Sequence, residues 1–293
     1  MPHFGQVITA MITPFDKDGN VYYEGACQLA EQLINNGTDT ILLAGTTGES
    51  PTLSHDEEFQ LFKEIISTIG GRANIMAGTG SNCTKTAIKS TREAEKHGID
   101  SILQVCPYYN KPSQEGIVQH FSSIADQTGL PILLYNIPSR TGVNMEPLTT
   151  ATLAEIDNIK GVKEASGSIE QVKEINQLTD SSFDVYSGDD SLTLSFMKEG
   201  AVGVVSVASH LVGNDIQQMV TLANAGNFKE AEVISNRLKD LFDVLFITSN
   251  PSPLKDALTQ IGFQAGLTRL PLVPVNASQH QEIKDVLNQL KLI

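Results

Sequence analysis

A regular alternation of short β-rich runs with amphipathic helical stretches limits most strongly how this chain can fold. The β-rich runs are Gln6–Met11, Thr40–Ala44, Asn74–Ala77, Ser101–Val105, Pro131–Tyr135, Ile159–Lys163, Phe183–Ser187 and Val202–Val207. Helical spacing occupies segments between them, among them Tyr22–Asn36, His55–Ile69, Lys85–His97, Gln114–Gln127 and Asp189–Lys198. Several of these stretches are followed by a glycine (Gly37, Gly70, Gly98, Gly129, Gly200), the residue that most readily closes a helix. Strands separated by helices pair in parallel, because parallel neighbours need a long crossover. Eight units before residue 226 match the size of a (β/α)8 TIM barrel. A doubly wound open sheet is the alternative. It opens on a glycine-rich phosphate turn, whereas here the first run leads into Thr13-Pro14-Phe15, and Gly78-Thr79-Gly80 is only a fragment of that pattern. The expected fold is therefore α/β, a catalytic (β/α)8 barrel over residues 1–225. Asn227–Thr248, Pro253–Gly262 and Ala277–Leu290 then form a C-terminal helical appendage over residues 226–293.

A barrel gathers its chemistry at the C-terminal ends of its strands, so those ends are read next. The second closes in Gly45-Thr46-Thr47-Gly48-Glu49-Ser50, the fourth in Cys106-Pro107-Tyr108-Tyr109-Asn110, and the fifth in Tyr135-Asn136-Ile137-Pro138-Ser139-Arg140-Thr141-Gly142. The sixth delivers Lys163, the seventh Gly188-Asp189-Asp190, and the eighth Val205-Ser206. An ammonium at the end of a buried strand is costly to desolvate, which lowers its pKa toward neutrality, and the free amine attacks ketones to give a Schiff base. A strand-end lysine can also snorkel to water. The convergence of hydroxyls, phenols and an arginine on the same rim favours the nucleophile. Gly45–Gly48 offers amides and two hydroxyls to a small carboxylate, or serves only as a tight turn. Arg140 is a two-pronged donor for a second carboxylate, or one half of a surface ion pair. Tyr135 and Tyr109 can pass protons, or simply fill the barrel mouth. Asp189 and Asp190 precede a helical stretch and read as its cap.

Composition narrows the partners. Asp plus Glu is 34 against Lys plus Arg 20, a net charge of −14 that repels nucleic acid and anionic membranes. Cys27, Cys83 and Cys106 form no CxxC pair, and the run Met1–Gln6 lacks a basic region followed by an apolar segment, so a reducing cytoplasmic setting is expected. No apolar stretch is long enough to span a bilayer. The six histidines show neither HxH nor HExxH spacing, so no metal site is expected.

Gly45–Ser50, Pro107-Tyr108-Tyr109-Asn110-Lys111-Pro112, Tyr135–Gly142 and Val162-Lys163-Glu164-Ala165-Ser166-Gly167, in this order and spacing, identify a resemblance. The chain resembles, over its full length, the dihydrodipicolinate synthase family within the N-acetylneuraminate lyase superfamily of class I aldolases. Sialic acid lyases typically carry a serine at the position of Thr46 and lack an arginine at that of Arg140. The resemblance implies condensation of pyruvate with L-aspartate 4-semialdehyde to 4-hydroxy-tetrahydrodipicolinate, in the diaminopimelate and lysine pathway. It implies that Lys163 forms the imine and that Thr47 and nearby amides hold the pyruvate carboxylate. Tyr135, Thr46 and Tyr109 would form a proton relay, with Tyr109 reaching a neighbouring subunit's site. Arg140 would position the relay and receive the semialdehyde carboxylate, and Gly188 and Val205 would present carbonyls to the substrate. No cofactor or metal is implied, since the lysine is the electron sink, and the implied assembly is a homotetramer built as a dimer of dimers.

One departure concerns regulation. Lysine-inhibited members bind lysine near Ser50, Pro51, His55, Asn82 and Tyr108, and usually carry a histidine and a glutamate where this chain has Glu58 and Thr86. Loss of a charge-assisted contact costs about 1.5–3 kcal/mol, so weak or absent inhibition by lysine is expected. The competing readings are a keto-acid sugar aldolase, against which Arg140 speaks, and a non-catalytic binding protein on an aldolase scaffold, which would have lost Lys163 or the relay.

Overall fold

The computed structural model describes residues 2–293. Its parallel strands are β1 (Val7–Ala10), β2 (Thr40–Leu43), β3 (Asn74–Gly78), β4 (Ser101–Val105), β5 (Ile132–Asn136), β6 (Ile159–Glu164), β7 (Asp184–Ser187) and β8 (Gly203–Ser206). Each pairs with its neighbour in chain order and β8 returns to β1, so the sheet closes as a barrel. The architecture agrees with the (β/α)8 expectation. Strand ends differ from the sequence-predicted ones by a residue or two, as element ends commonly do.

The two-residue period of a strand sorts side chains into two apolar compartments. Ile8, Leu42, Met76, Leu103, Leu133, Tyr186 and Val205 fill the barrel, with Phe4 packed among them. Their neighbours Val7, Ile41, Ala77, Ile102, Leu134, Val162 and Val204 face outward into the layer shared with the helices. On β6 this period sends Val162 outward and Lys163 inward, so the lysine's direction follows from the strand that carries it. The outward position after it is Glu164, fully buried.

Amphipathic helices cover the barrel, and their ends show why they start and stop. Ser54 and Glu57 form a capping box before the helix His55–Ile69, which Gly70 closes in a left-handed conformation at φ 58°. Gly129 does not act as such a closure, because its helix ends earlier, at Ala125. The expected start at Asp189 also shifts. Asp189 Oδ1 accepts from the Ser191 amide at 2.8 Å in a local turn, and the helix runs from Thr193 to Lys198. After the helix Ser209–Asn224, three helices follow at Phe228–Val244, Ser252–Gln260 and Ala277–Gln289.

Candidate active site

Lys163 and Tyr135 are paired residues across β6 and β5, and both point into the barrel. The Lys163 Nζ stands 4.1 Å from the centre of the Tyr135 ring. Only 7% of Lys163 is exposed, and among the described residues no carboxylate oxygen lies within ion-pair distance of its amine. Desolvation lowers its pKa to about 7, helped by the Arg140 charge and opposed by the carboxylates of Asp190 and Asp189. Burial pushes the Tyr135 phenol up to about 12, while the Arg140 charge and the Thr46 side chain pull it back. At neutral pH the site thus holds a largely protonated phenol beside an amine that is a free base in a large fraction of molecules.

Space for that amine comes from Gly188. A Cβ there would stand 2.7 Å from the Ala165 Cβ and 3.1 Å from the Lys163 Cε, so a side chain would push the lysine aside. Val205 is buried among the interior side chains below the rim. Asp190 does not cap the helix that follows it. Its Oδ2 accepts from the amides of Val207 and Ala208, both at 2.9 Å, and so fixes the turn after β8.

The Gly45–Glu49 loop forms the opposite wall. The Gly48 carbonyl accepts from Thr13 Oγ1 at 2.7 Å, and the amides of Glu49 and Ser50 bond back to Thr46 and Gly45. Thr47 is buried and its Oγ1 accepts from Asn250 Nδ2 at 2.9 Å. Thr46, Tyr135 and Arg140 line a cavity of about 380 Å³ that continues outward to Ser50, Glu58 and Tyr108. Lys163 does not line this space; its amine rests against the ring of Tyr135, which does.

Tyr109 is the predicted residue that the single chain leaves outside. It sits at φ 73°, 90% exposed, with its amide bonded to the Thr141 carbonyl. That bond ties the β4 loop to the short helix Pro138–Thr141 that carries Arg140.

Several supporting residues escaped the sequence reading. Glu164, next to the lysine but on the other face of β6, accepts from Gln171 Nε2 at 2.9 Å and from the Ser166 amide at 2.7 Å. Asn136 Nδ2 reaches the same carboxylate at 3.1 Å, so β5 and β6 are joined behind the Tyr135–Lys163 pair. Strand alternation around Lys163 was the available signal, since it sends Glu164 into a buried layer that must supply partners. Lys255 and Asn250 also meet the rim loop, at Glu49 and Thr47, from positions far apart in sequence.

The sequence model of the Dihydrodipicolinate synthetase family matches residues 3–290. A 4-hydroxy-tetrahydrodipicolinate synthase of a Nostoc species is 54% identical over 100% of both chains. Among solved structures, that of the Cyanidioschyzon merolae enzyme with lysine bound is 47% identical, covers 100% of both chains and superposes with TM-score 0.98. The chloride-inhibited dihydrodipicolinate synthase from Acinetobacter baumannii, complexed with pyruvate, is 39% identical over 99% of this chain and 100% of that one, with TM-score 0.97.

Proposed function

The chain belongs to the dihydrodipicolinate synthetase family, and from that premise we propose how its rim residues share the work of the reaction. The reaction is condensation of pyruvate with L-aspartate 4-semialdehyde to 4-hydroxy-tetrahydrodipicolinate, on the route to diaminopimelate and lysine. The chain is a carbon–carbon bond-forming lyase.

The observation that carries the assignment is the unpaired, buried Lys163 amine against Tyr135. The free amine adds to the pyruvate ketone, and loss of water from the carbinolamine leaves the imine. Tyr135, protonated across the neutral range, gives its proton to the departing hydroxyl, which leaves as water, and the Thr46 hydroxyl donates a hydrogen bond to the phenolate so formed. Thr47 and the loop amides hold the pyruvate carboxylate. The Tyr135 phenolate takes a methyl proton to give the enamine, which attacks the aldehyde carbon to form the new C–C bond, and the phenol returns the proton to the alkoxide as the alcohol. The semialdehyde amine then attacks the imine carbon and expels Lys163, which returns as the free amine while the ring closes. Arg140 receives the semialdehyde carboxylate, and the backbone carbonyls of Gly188 and Val205 face the substrate.

Tyr109, exposed in one subunit, is proposed to complete the relay of a neighbour, in a homotetramer arranged as a dimer of dimers. Mixing Tyr109→Phe subunits with Lys163→Ala subunits tests this, because each mixed dimer then holds one complete site. Recovery of about a quarter of the normal activity is expected, and no recovery contradicts the shared site. The barrel over residues 1–225 and the helices over 226–293 are proposed as one catalytic unit in a cytoplasmic enzyme that needs no cofactor or metal.

Exchange of the pyruvate methyl protons with deuterated solvent separates the roles, since it needs imine and enamine but no second substrate. Arg140→Ala should keep exchange and weaken condensation through a higher KM for the semialdehyde, while Tyr135→Phe should lose both. If Arg140→Ala stops exchange as well, the arginine does not act on the semialdehyde alone.

Weak inhibition by lysine rests on Thr86, and Glu58 argues the other way. Its buried carboxylate lines the same cavity, accepting from Ser50 Oγ at 2.8 Å, with His55 Nδ1 at 3.3 Å. Half-inhibition at sub-millimolar lysine in a pyruvate-saturated assay overturns the expectation; insensitivity in that range upholds it.

A further inference from the structure

The C-terminal segment meets the rim loop at points that converge on one short stretch. Thr47 Oγ1 accepts from Asn250 Nδ2 at 2.9 Å, with both residues buried. Two positions on, Glu49 Oε1 stands 2.7 Å from Lys255 Nζ, with the two side chains only 1% and 3% exposed. Its other oxygen accepts from the Arg269 amide at 2.9 Å. Lys255 is closed in by the Phe15 ring, 4.0 Å away, and donates to the Leu267 carbonyl at 3.2 Å.

This arrangement is costly in two ways. Glu49 adopts φ 56°, a conformation that favours glycine. Its carboxylate and the Lys255 ammonium are both taken out of water, where an apolar pair of similar volume would often be at least as stable. Both features fix the backbone of Gly45–Glu49 in one place.

The bond to Asn250 adds a chemical constraint. A threonine hydroxyl has one proton and two lone pairs. Because the Asn250 amide donates to Oγ1, the Thr47 proton is left to donate elsewhere, as an anion requires.

We propose that Asn250 and the Glu49–Lys255 pair are positioning residues for the carboxylate cradle. Asn250 commits Thr47 as a donor, and the ion pair holds the loop that carries it. The proposal rests on the reading of Thr47 as a ligand of the pyruvate carboxylate.

The test measures KM for each substrate, together with borohydride trapping of acetone, a ketone without a carboxylate. Asn250→Ala should raise KM for pyruvate about tenfold, leave that for the semialdehyde within about twofold, and leave acetone trapping intact. Asn250→Asp should do worse, because its carboxylate accepts the Thr47 proton and adds a negative charge. Lys255→Met alone would strand a buried carboxylate and risks unfolding, so the charge-free double variant Glu49→Gln with Lys255→Met is used alongside it. A folded double variant should show the same pyruvate-selective rise in KM. The proposal is overturned if Thr47→Val raises KM for pyruvate while Asn250→Ala and the double variant leave it unchanged. If Thr47→Val itself has no effect, the carboxylate reading beneath the proposal fails with it.

Discussion

Two buried lysines of this chain differ in one respect that decides what each can do. Lys163 and Lys255 both place Nζ close over an aromatic ring, 4.1 Å from Tyr135 and 4.0 Å from Phe15. Both are desolvated, and burial lowers the first to about 7 and the second to about 8. Lys255 has the Glu49 carboxylate at 2.7 Å, whereas Lys163 has no carboxylate within ion-pair distance among the described residues. Burial against a ring is therefore common to both, and the missing counter-ion is particular to the nucleophile. An amine paired with a carboxylate is held as the ammonium, its lone pair occupied by a proton; one out of ion-pair reach of a carboxylate can offer the lone pair to a carbonyl.

The largest consequence is in turnover. Lys163→Ala should lower kcat by about three orders of magnitude or more, because the group that forms the imine is gone. Steady-state assays of the purified variant check this, and a loss under tenfold breaks the contrast between the two lysines.

Stability should move in opposite directions. Lys163 has a folded-state pKa below its unfolded value, so its ionisation opposes folding. That penalty is fully present below about pH 7 and fades as pH rises toward the ordinary value of 10.5. It amounts to roughly 5 kcal/mol at its maximum. Lys163→Met should therefore raise thermal stability, more at pH 6 than at pH 9. Lys255 is also depressed, to about 8, but Lys255→Met should on balance lower stability, since the Glu49 carboxylate stays buried without its partner. Denaturation curves at the two pH values measure both, and shifts of the same sign would show that the two lysines are not energetically distinct.

The pH dependence of capture sharpens the same point. Imine formation needs the neutral amine, so the rate of pyruvate trapping should fall about tenfold for each pH unit below about 7 and level off above it. A profile flat from pH 5 to pH 8 would mean that the amine does not titrate in this range.

The smallest effect concerns the second substrate. Arg140→Ala should raise KM for the semialdehyde about tenfold and that for pyruvate by less than about threefold. Equal changes for both would remove its assignment to one carboxylate.

How much of this was legible in the sequence follows from the range of each interaction. The barrel emerged from local periodicities of two and 3.6 residues, and Lys163 and Tyr135 from their places at strand ends. The Asp189 turn misplaced a helix start, because a side chain bonding two residues on competes with the helix in a way that periodicity does not register. Glu49, Asn250 and Lys255 carried no local signal. A glutamate after a glycine turn and a lysine in an amphipathic helix look solvent-facing until the fold brings them together across some 200 residues. Tyr109 marks a different limit, since its role depends on a second copy of the chain.

The most direct test is borohydride reduction in the presence of pyruvate, followed by mass spectrometry of the proteolysed chain. The account predicts a reduced pyruvate adduct on the peptide containing Lys163 and none on the peptide containing Lys255. An adduct on Lys255, or an unmodified chain, would contradict it.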